Sequence, residues 1–227
     1  MNFSTLDNPV WHALTGPQAH LVQGARPVLR FDPAFAPFAM MESLSPAHLA
    51  QLAADLPPGQ AAVLFTTEPV VVPAGLELIR AGQLLQMVAE TPLAVGTDID
   101  MVPVGAAQSA EAQELVKLTE PGPFAPRTVE LGTYLGVREG GKLIAMTGER
   151  LHPPGFTEVS AVCVHPDHRG KGLAKALVSR IATGIAARGE VPFLHVFPHN
   201  AAAIATYERI GFVGRRLIEL TVVRRVE

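Results

Sequence analysis

Arg169-Gly170-Lys171-Gly172 sets two cations among two positions without a β-carbon, directly before a helical pattern. That combination suits an anion. The first turn of a helix leaves its backbone N–H groups without intrahelical partners, and the helix dipole adds partial positive charge there. Gly170 and Gly172 let a phosphate approach the main chain closely, while Arg169 and Lys171 add full charges. A pyrophosphate is the expected guest. Neither GxxxxGK[ST] nor GxGxxG is present, so the loop is neither a triphosphatase loop nor a dinucleotide fingerprint. His165, Asp167 and His168 crowd into one turn beside the loop with no remote ligand set, so no metal is expected. Cys163, the one cysteine, is flanked by valines and reads as a small core residue rather than a nucleophile.

The elements that must position the loop follow from periodicity. Glu158 to Val164 reads as a strand. Strict alternation puts Glu158, Ser160, Val162 and Val164 on one face, with Val159, Ala161 and Cys163 on the other. Pro166 and Asp167 end it. Beyond the loop, Leu173, Leu177, Val178, Ile181 and Ile185 form one helical stripe, stopped by Gly189. Phe193 to Phe197 is a nearly all-apolar run, as expected of a strand covered on both faces. Asn200 is a good N-cap for a helix from Ala201 to Ile210, which Gly211 stops. A last strand runs from Phe212 through Val223.

Upstream, Ser109 is a plausible N-cap for a helix carrying Leu115, Val116 and Leu118. Thr119 to Pro126, with three prolines and a glycine, is a stiff loop. Thr128 to Val137 reads as a strand, Glu139-Gly140-Gly141 as a hairpin turn, and Leu143 to Met146 as the next strand.

Arg169-Gly170-Lys171-Gly172-Leu173-Ala174 resembles the R/Q-x-x-G-x-G/A signature of the GNAT superfamily of acyl-CoA-dependent N-acetyltransferases. Asn200, Ala203, Tyr207, Glu208, Gly211 and Phe212 match a second hallmark, N-x-x-A-x-x-x-Y-E-x-x-G-F. The wording HVFPHNAAAIATYERIGF most resembles the glycine N-acyltransferase-like branch. The resemblance covers roughly Ser109 to the C-terminus. It implies an α/β fold with a mixed sheet over 105–227 and acetyl-CoA as acyl donor. Residues 1–104 form an N-terminal α/β half, either a packing domain that frames the acceptor site or a reduced copy of the same fold; no internal repeat is visible.

In that half, Pro27 to Phe31, Ala62 to Phe65 and Val70 to Val72 look like strands. Ser45-Pro46 opens a helix carrying Leu49, Leu52 and Ala53. Leu76 to Val88 is compatible with a helix or with a strand and a helix. Leu93 to Pro103 reads as a linker or connecting strand.

At 227 residues the chain has ample length for a core, and 48% hydrophobic against 17% charged residues make it globular. A net charge of −3 without a basic run argues against nucleic acid as partner. The N-terminus shows no charged region followed by an apolar core, and no apolar run approaches the roughly 18 residues that span a membrane. A cytoplasmic protein is expected, with a homodimer as an open possibility; the resemblance implies a small-molecule amine as partner.

The resemblance also implies roles. Arg169 to Ala174 would hold the pyrophosphate, and Val162, Cys163 and Val164 would offer main-chain hydrogen bonds to the pantetheine arm. Asn200 and Ala203 would touch that arm, though a helix cap alone accounts for Asn200. Glu158 is the candidate general base; the alternative is a strand-end carboxylate bound to Arg or solvent. Tyr207 is the candidate general acid for the departing thiolate; the alternative is a core tyrosine with a satisfied hydroxyl. Phe124 and Arg127 are candidates for shaping the acceptor pocket, or belong to an ordinary proline-rich connection. The expected activity is acetyl transfer to a small amine or an amino acid. The alternatives are a non-catalytic CoA-binding or sensing module and a protein or peptide N-acetyltransferase.

Overall fold

A computed structural model describes residues 2–94 and 98–226. In chain order the elements are α1 (Pro9–Leu14), β1 (Val22–Ala25), β2 (Val28–Phe31), β3 (Ala39–Met41), α2 (Pro46–Asp55), β4 (Ala61–Thr66), β5 (Leu76–Val88) and β6 (Val102–Pro103). Then come α3 (Ser109–Thr119), β7 (Tyr134–Glu139), β8 (Lys142–Glu149), β9 (Phe156–Val164), α4 (Leu173–Ala187), β10 (Val191–Val196), α5 (Ala201–Glu208) and β11 (Val213–Arg225). Eight strands form one sheet in the order β4-β11-β5-β10-β9-β8-β7-β6, and β1-β2-β3 form a second, small one. Only β9 and β10 are joined in parallel, through α4 as crossover; the other neighbours in the large sheet are antiparallel.

The large sheet takes strands from both sides of residue 104. β5 is inserted between β10 and β11, so the segment before residue 104 completes the sheet that carries the glycine loop. The helix read into Leu76–Val88 is a single 13-residue strand. Pairing with β11 along its whole length decides this, because tertiary pairing overrides a mixed local pattern. Val70–Val72 forms no strand, and Thr128–Glu130 is a 3-10 turn, with the strand beginning at Tyr134. Ser109 is the first helical residue rather than the cap; a 3-10 turn over Ala106–Gln108 leads into it. Ser45 does cap α2, accepting from the His48 N–H at 3.2 Å. Part of the Leu93–Pro103 segment, residues 95–97, lies outside the described residues; Val102–Pro103 is β6.

α4 packs on one face of the sheet and α3 on the other. Val159, Val178, Ile181, Ile185, Tyr207 and Phe212 share one buried cluster on the α4 side. Ala112, Leu115, Met146, Ala161 and Cys163 share another on the α3 side. These clusters correct the alternation read along β9. Thr147 of β8 faces two residues, Ala161 and Val162, because the register slips between Met146 and Gly148. Ala161 takes a positive φ of 52°, and the Thr147 hydroxyl donates to Ser160 O at 2.8 Å. This β-bulge adds one residue and reverses the period-2 pattern beyond it. Cys163 therefore faces α3, while Val162 and Val164 pack toward α4.

Candidate active site

β9 and β10 pair only over Val191–Phe193 against Phe156–Glu158. Beyond Glu158 the two strands separate, and the edge of β9 from Ser160 to Val164 is open. A cavity of about 730 Å³ fills this gap. It is lined from the α4 side by Gly170, Gly172, Ala174, Asn200, Ala203 and Tyr207, and from the α3 side by Thr119–Pro123, Ser160 and Arg150. The space thus passes through the sheet at the strand separation.

Gly170 and Gly172 have φ of 77° and 78°, in the left-handed region that favours glycine, and a β-carbon built on either meets nothing within 4 Å. Open space above both residues is what a ligand needs. The Gly172 carbonyl accepts from the Ala176 N–H at 3.0 Å and so starts α4. Among the described residues, the N–H groups from Gly170 to Lys175 find no protein acceptor. Orphan amides at the start of a 15-residue helix, with Arg169 and Lys175 lining the same space, fit a pyrophosphate. Lys171 does not line the cavity; its Nζ lies 3.4 Å from His168 Nδ1, on the surface. Asn200 Oδ1 accepts from the Ala203 N–H at 3.2 Å, so this side chain caps α5 and lines the cavity as well.

Tyr207 lines the cavity and is 7% exposed. Burial, with the Cys163 sulfur beyond it, pushes its hydroxyl up to about 12, so the phenol stays protonated. Among the described residues nothing hydrogen-bonds that hydroxyl. It is available as a donor.

Glu158 has a different part from the one expected. It is fully buried and receives both Arg150 Nε and Nη2, at 2.8 and 2.7 Å. His195 Nδ1 lies 2.8 Å from its Oε1. Burial pushes the carboxyl up, but the Arg150 guanidinium and the His195 ring outweigh it and bring it down to about 2. So weak a base, with both oxygens engaged and no surface in the cavity, does not take a proton from an amine. Its place is structural: it fixes Arg150 and His195 where the strands part. Gln86, itself fully buried, continues the chain. Its amide nitrogen donates to Leu6 O at 2.9 Å and lies 3.1 Å from His195 Nε2, and its oxygen accepts from Arg215 at 2.7 Å. The imidazole therefore accepts at Nε2 and donates at Nδ1, a neutral tautomer held from both sides.

Cys163 is buried on the α3 side, and burial pushes its thiol up to about 12 against a weaker opposing hydrogen bond from Thr119, so it is no nucleophile. Its side chain does not line the cavity. The proline-rich loop does border the site, but through Thr119–Pro123. Phe124 packs edge-on against Tyr134, ring centroids 6.1 Å apart, and Arg127 lies on the surface, bonded to Glu130 at 2.7 Å and stacked over Phe35. Neither shapes the pocket. Sequence reading missed Arg150, His195 and Gln86. Only one signal pointed to them: a carboxylate inside a buried strand demands a counter-ion, and Arg150 stands across the β8–β9 turn from it.

Comparison with known proteins agrees with this geometry. A family profile described as FR47-like protein matches residues 134–220. The N-alpha-acetyltransferase RimI of Mycobacterium tuberculosis is 35% identical over 135 residues, covering 52% of this chain and 84% of that protein. The crystal structure of an acetyltransferase from the GNAT family of Novosphingobium aromaticivorans superposes with a TM-score of 0.90 at 42% identity, over 98% of this chain and 99% of that one. The chain belongs to the GNAT family. It is an acyl-CoA-dependent N-acetyltransferase, with acetyl-CoA as donor. The mycothiol acetyltransferase of Mycobacterium avium is 34% identical over 82 residues, but this chain spans only 26% of it. Among the described residues no helix is long and apolar enough to cross a membrane.

Proposed function

We propose that this GNAT protein transfers acetyl directly from acetyl-CoA to the primary amine of a small molecule or amino acid. The observation that carries this is the cavity through the strand separation, with orphan amides at one end and an apolar chamber at the other. The donor's diphosphate sits on the amides of the glycine loop, and its pantetheine arm lies along the open edge of β9. The acceptor enters from the α3 side. Desolvation in the apolar chamber lowers the pKa of an ammonium, so the amine reaches the thioester unprotonated, without a dedicated carboxylate base. A main-chain N–H at the β9 bulge faces the thioester oxygen and would contribute roughly 3–4 kcal/mol as an oxyanion donor. The nitrogen attacks the carbonyl carbon, the C–S bond breaks, Tyr207 donates to the sulfur, and water at the mouth carries the proton lost by the amine back to the Tyr207 oxygen, leaving the amide and the free thiol.

A second reading is acetylation of a protein N-terminus, favoured by the 35% identity to RimI. The glycine N-acyltransferase-like branch rests on the HVFPHNAAAIATYERIGF wording alone. Free-thiol release from acetyl-CoA with a panel of small amines and N-terminal peptides decides between the readings. Thiol release with small amines supports the first. Release only with peptides transfers the assignment to the second. Calorimetric CoA binding with no thiol release from any acceptor leaves a sensing module.

A further inference from the structure

At the α3-side end of the cavity, Arg150 offers a donor that acetyl transfer by itself leaves unused. Arg150 is 6% exposed and lines the cavity. Its Nε and Nη2 are taken by Glu158, but Nη1, with two N–H groups, meets no acceptor among the described residues. A ligand oxygen reaching Nη1 would make a charge-assisted hydrogen bond. The walls around it are apolar or aromatic: Val63, Phe65, Leu84, Phe197 and Leu220. Phe65 lies 4.8 Å from the His195 ring and 5.0 Å from Phe38, whose own ring lies 4.8 Å under the Arg150 guanidinium.

No uncompensated positive charge stands at this end, and the exposed Glu120 of the lining adds a negative one. Glu158 neutralises Arg150, and His195 is held neutral between Glu158 and Gln86. The other lining arginines and the lining lysine, Arg169, Arg209 and Lys175, belong to the glycine loop, α4 and the end of α5, on the donor side. A carboxylate set on Nη1 would bring an uncompensated negative charge into apolar walls, which is expensive. A neutral carbonyl oxygen would take the same hydrogen bond without that charge.

We infer that Arg150 Nη1 selects the acceptor: a primary amine with a neutral amide or ester carbonyl beside it and an apolar side chain, in preference to the free amino acid or a plain alkylamine. This rests on the acetyl-transfer reading and narrows its acceptor.

Three acceptors sharing one skeleton test it on the unmodified protein: phenylalaninamide, phenylalanine and 2-phenylethylamine. Thiol release over a range of pH yields kcat/KM per unprotonated amine, so that unequal basicities cancel. The amide should exceed each of the others by about 10–100-fold, the worth of one hydrogen bond to a charged group. Arg150→Lys keeps a charge opposite Glu158 but loses the guanidinium fork. In folded Arg150→Lys that still binds CoA, the ratio of amide to phenylethylamine should fall to near one. Equal rates for the three acceptors, a preference for the carboxylate, or an unchanged ratio in that variant overturn the inference. If Arg150→Lys does not fold, the three-acceptor comparison decides alone. Thiol release with other amines but none of these three also overturns it and leaves acetyl transfer standing. Silence with every amine removes both.

Discussion

Tyr207 and Glu158 show how environment separates two titratable residues. Tyr207 borders the cavity and keeps its proton, its hydroxyl raised to about 12. Tyr207→Phe should lower kcat for thiol release by about 100-fold or more, the usual scale for a lost acid catalyst, while calorimetry finds CoA affinity within about twofold. Glu158 instead holds two neighbours. Removing its charge leaves Arg150 buried and unpaired, so Glu158→Gln should cost about 3–5 kcal/mol in urea denaturation. Its pH dependence has a definite sign. The folded carboxyl, near 2, lies below the roughly 4.3 of an unfolded Glu, so the unfolded chain binds the proton first. That stabilisation is complete above about pH 5 and is lost as the pH falls toward 2. Urea midpoints at pH 6 and pH 3 should differ more for the unmodified protein than for Glu158→Gln.

At the scale of elements, the site depends on two departures from regular structure. One is the β9 bulge at Ala161, which sends Cys163 to the α3 face and leaves the open strand edge lined by Val162 and Val164. The other is the left-handed turn into α4. Gly172→Ala puts a side chain at a φ of 78°, at about 1–2 kcal/mol, and fills the space above the orphan amides. Gly189, past the end of α4, has a φ of 81° and open space too, but no cavity above it. Gly172→Ala and Gly189→Ala should therefore lower the unfolding free energy alike. Only the first should weaken CoA binding by calorimetry, by at least about tenfold, the loss of roughly one hydrogen bond to a charged group.

Across the whole molecule, the N-terminal segment is part of the site's support. Leu6 is fully buried, and its carbonyl accepts from Gln86, which in turn touches His195. Arg215 of β11 closes the same chain by donating to Gln86 and to Asp7 at 2.7 and 2.6 Å. Leu6→Ala should cost about 2–5 kcal/mol by denaturation, as for other large-to-small core changes. The loss should be partly recovered by saturating CoA, since a ligand at about 100 times its Kd adds roughly 2.7 kcal/mol. Failure of CoA to raise the melting temperature of this variant would mean that the N-terminal segment and the donor site are energetically linked beyond simple packing.

The glycine loop, the stripe of α4 and the cap of α5 were legible because each is local: turn chemistry, a 3.6-residue period and a side chain reaching its own backbone three residues on. So was Tyr207, placed by its spacing from Asn200 and Gly211. β5 was not legible, since its strand form is imposed by β11, more than a hundred residues later in the chain. The side-chain directions beyond Ala161 were not legible either, because one inserted residue in a paired strand reverses every later alternation. Nor was the true partner of Glu158. A carboxylate in a strand looks the same in sequence whether it faces substrate or an arginine. Only packing β8, β9 and β10 side by side brings Arg150 and His195 onto it, and burial then makes it a fixed charge instead of a base.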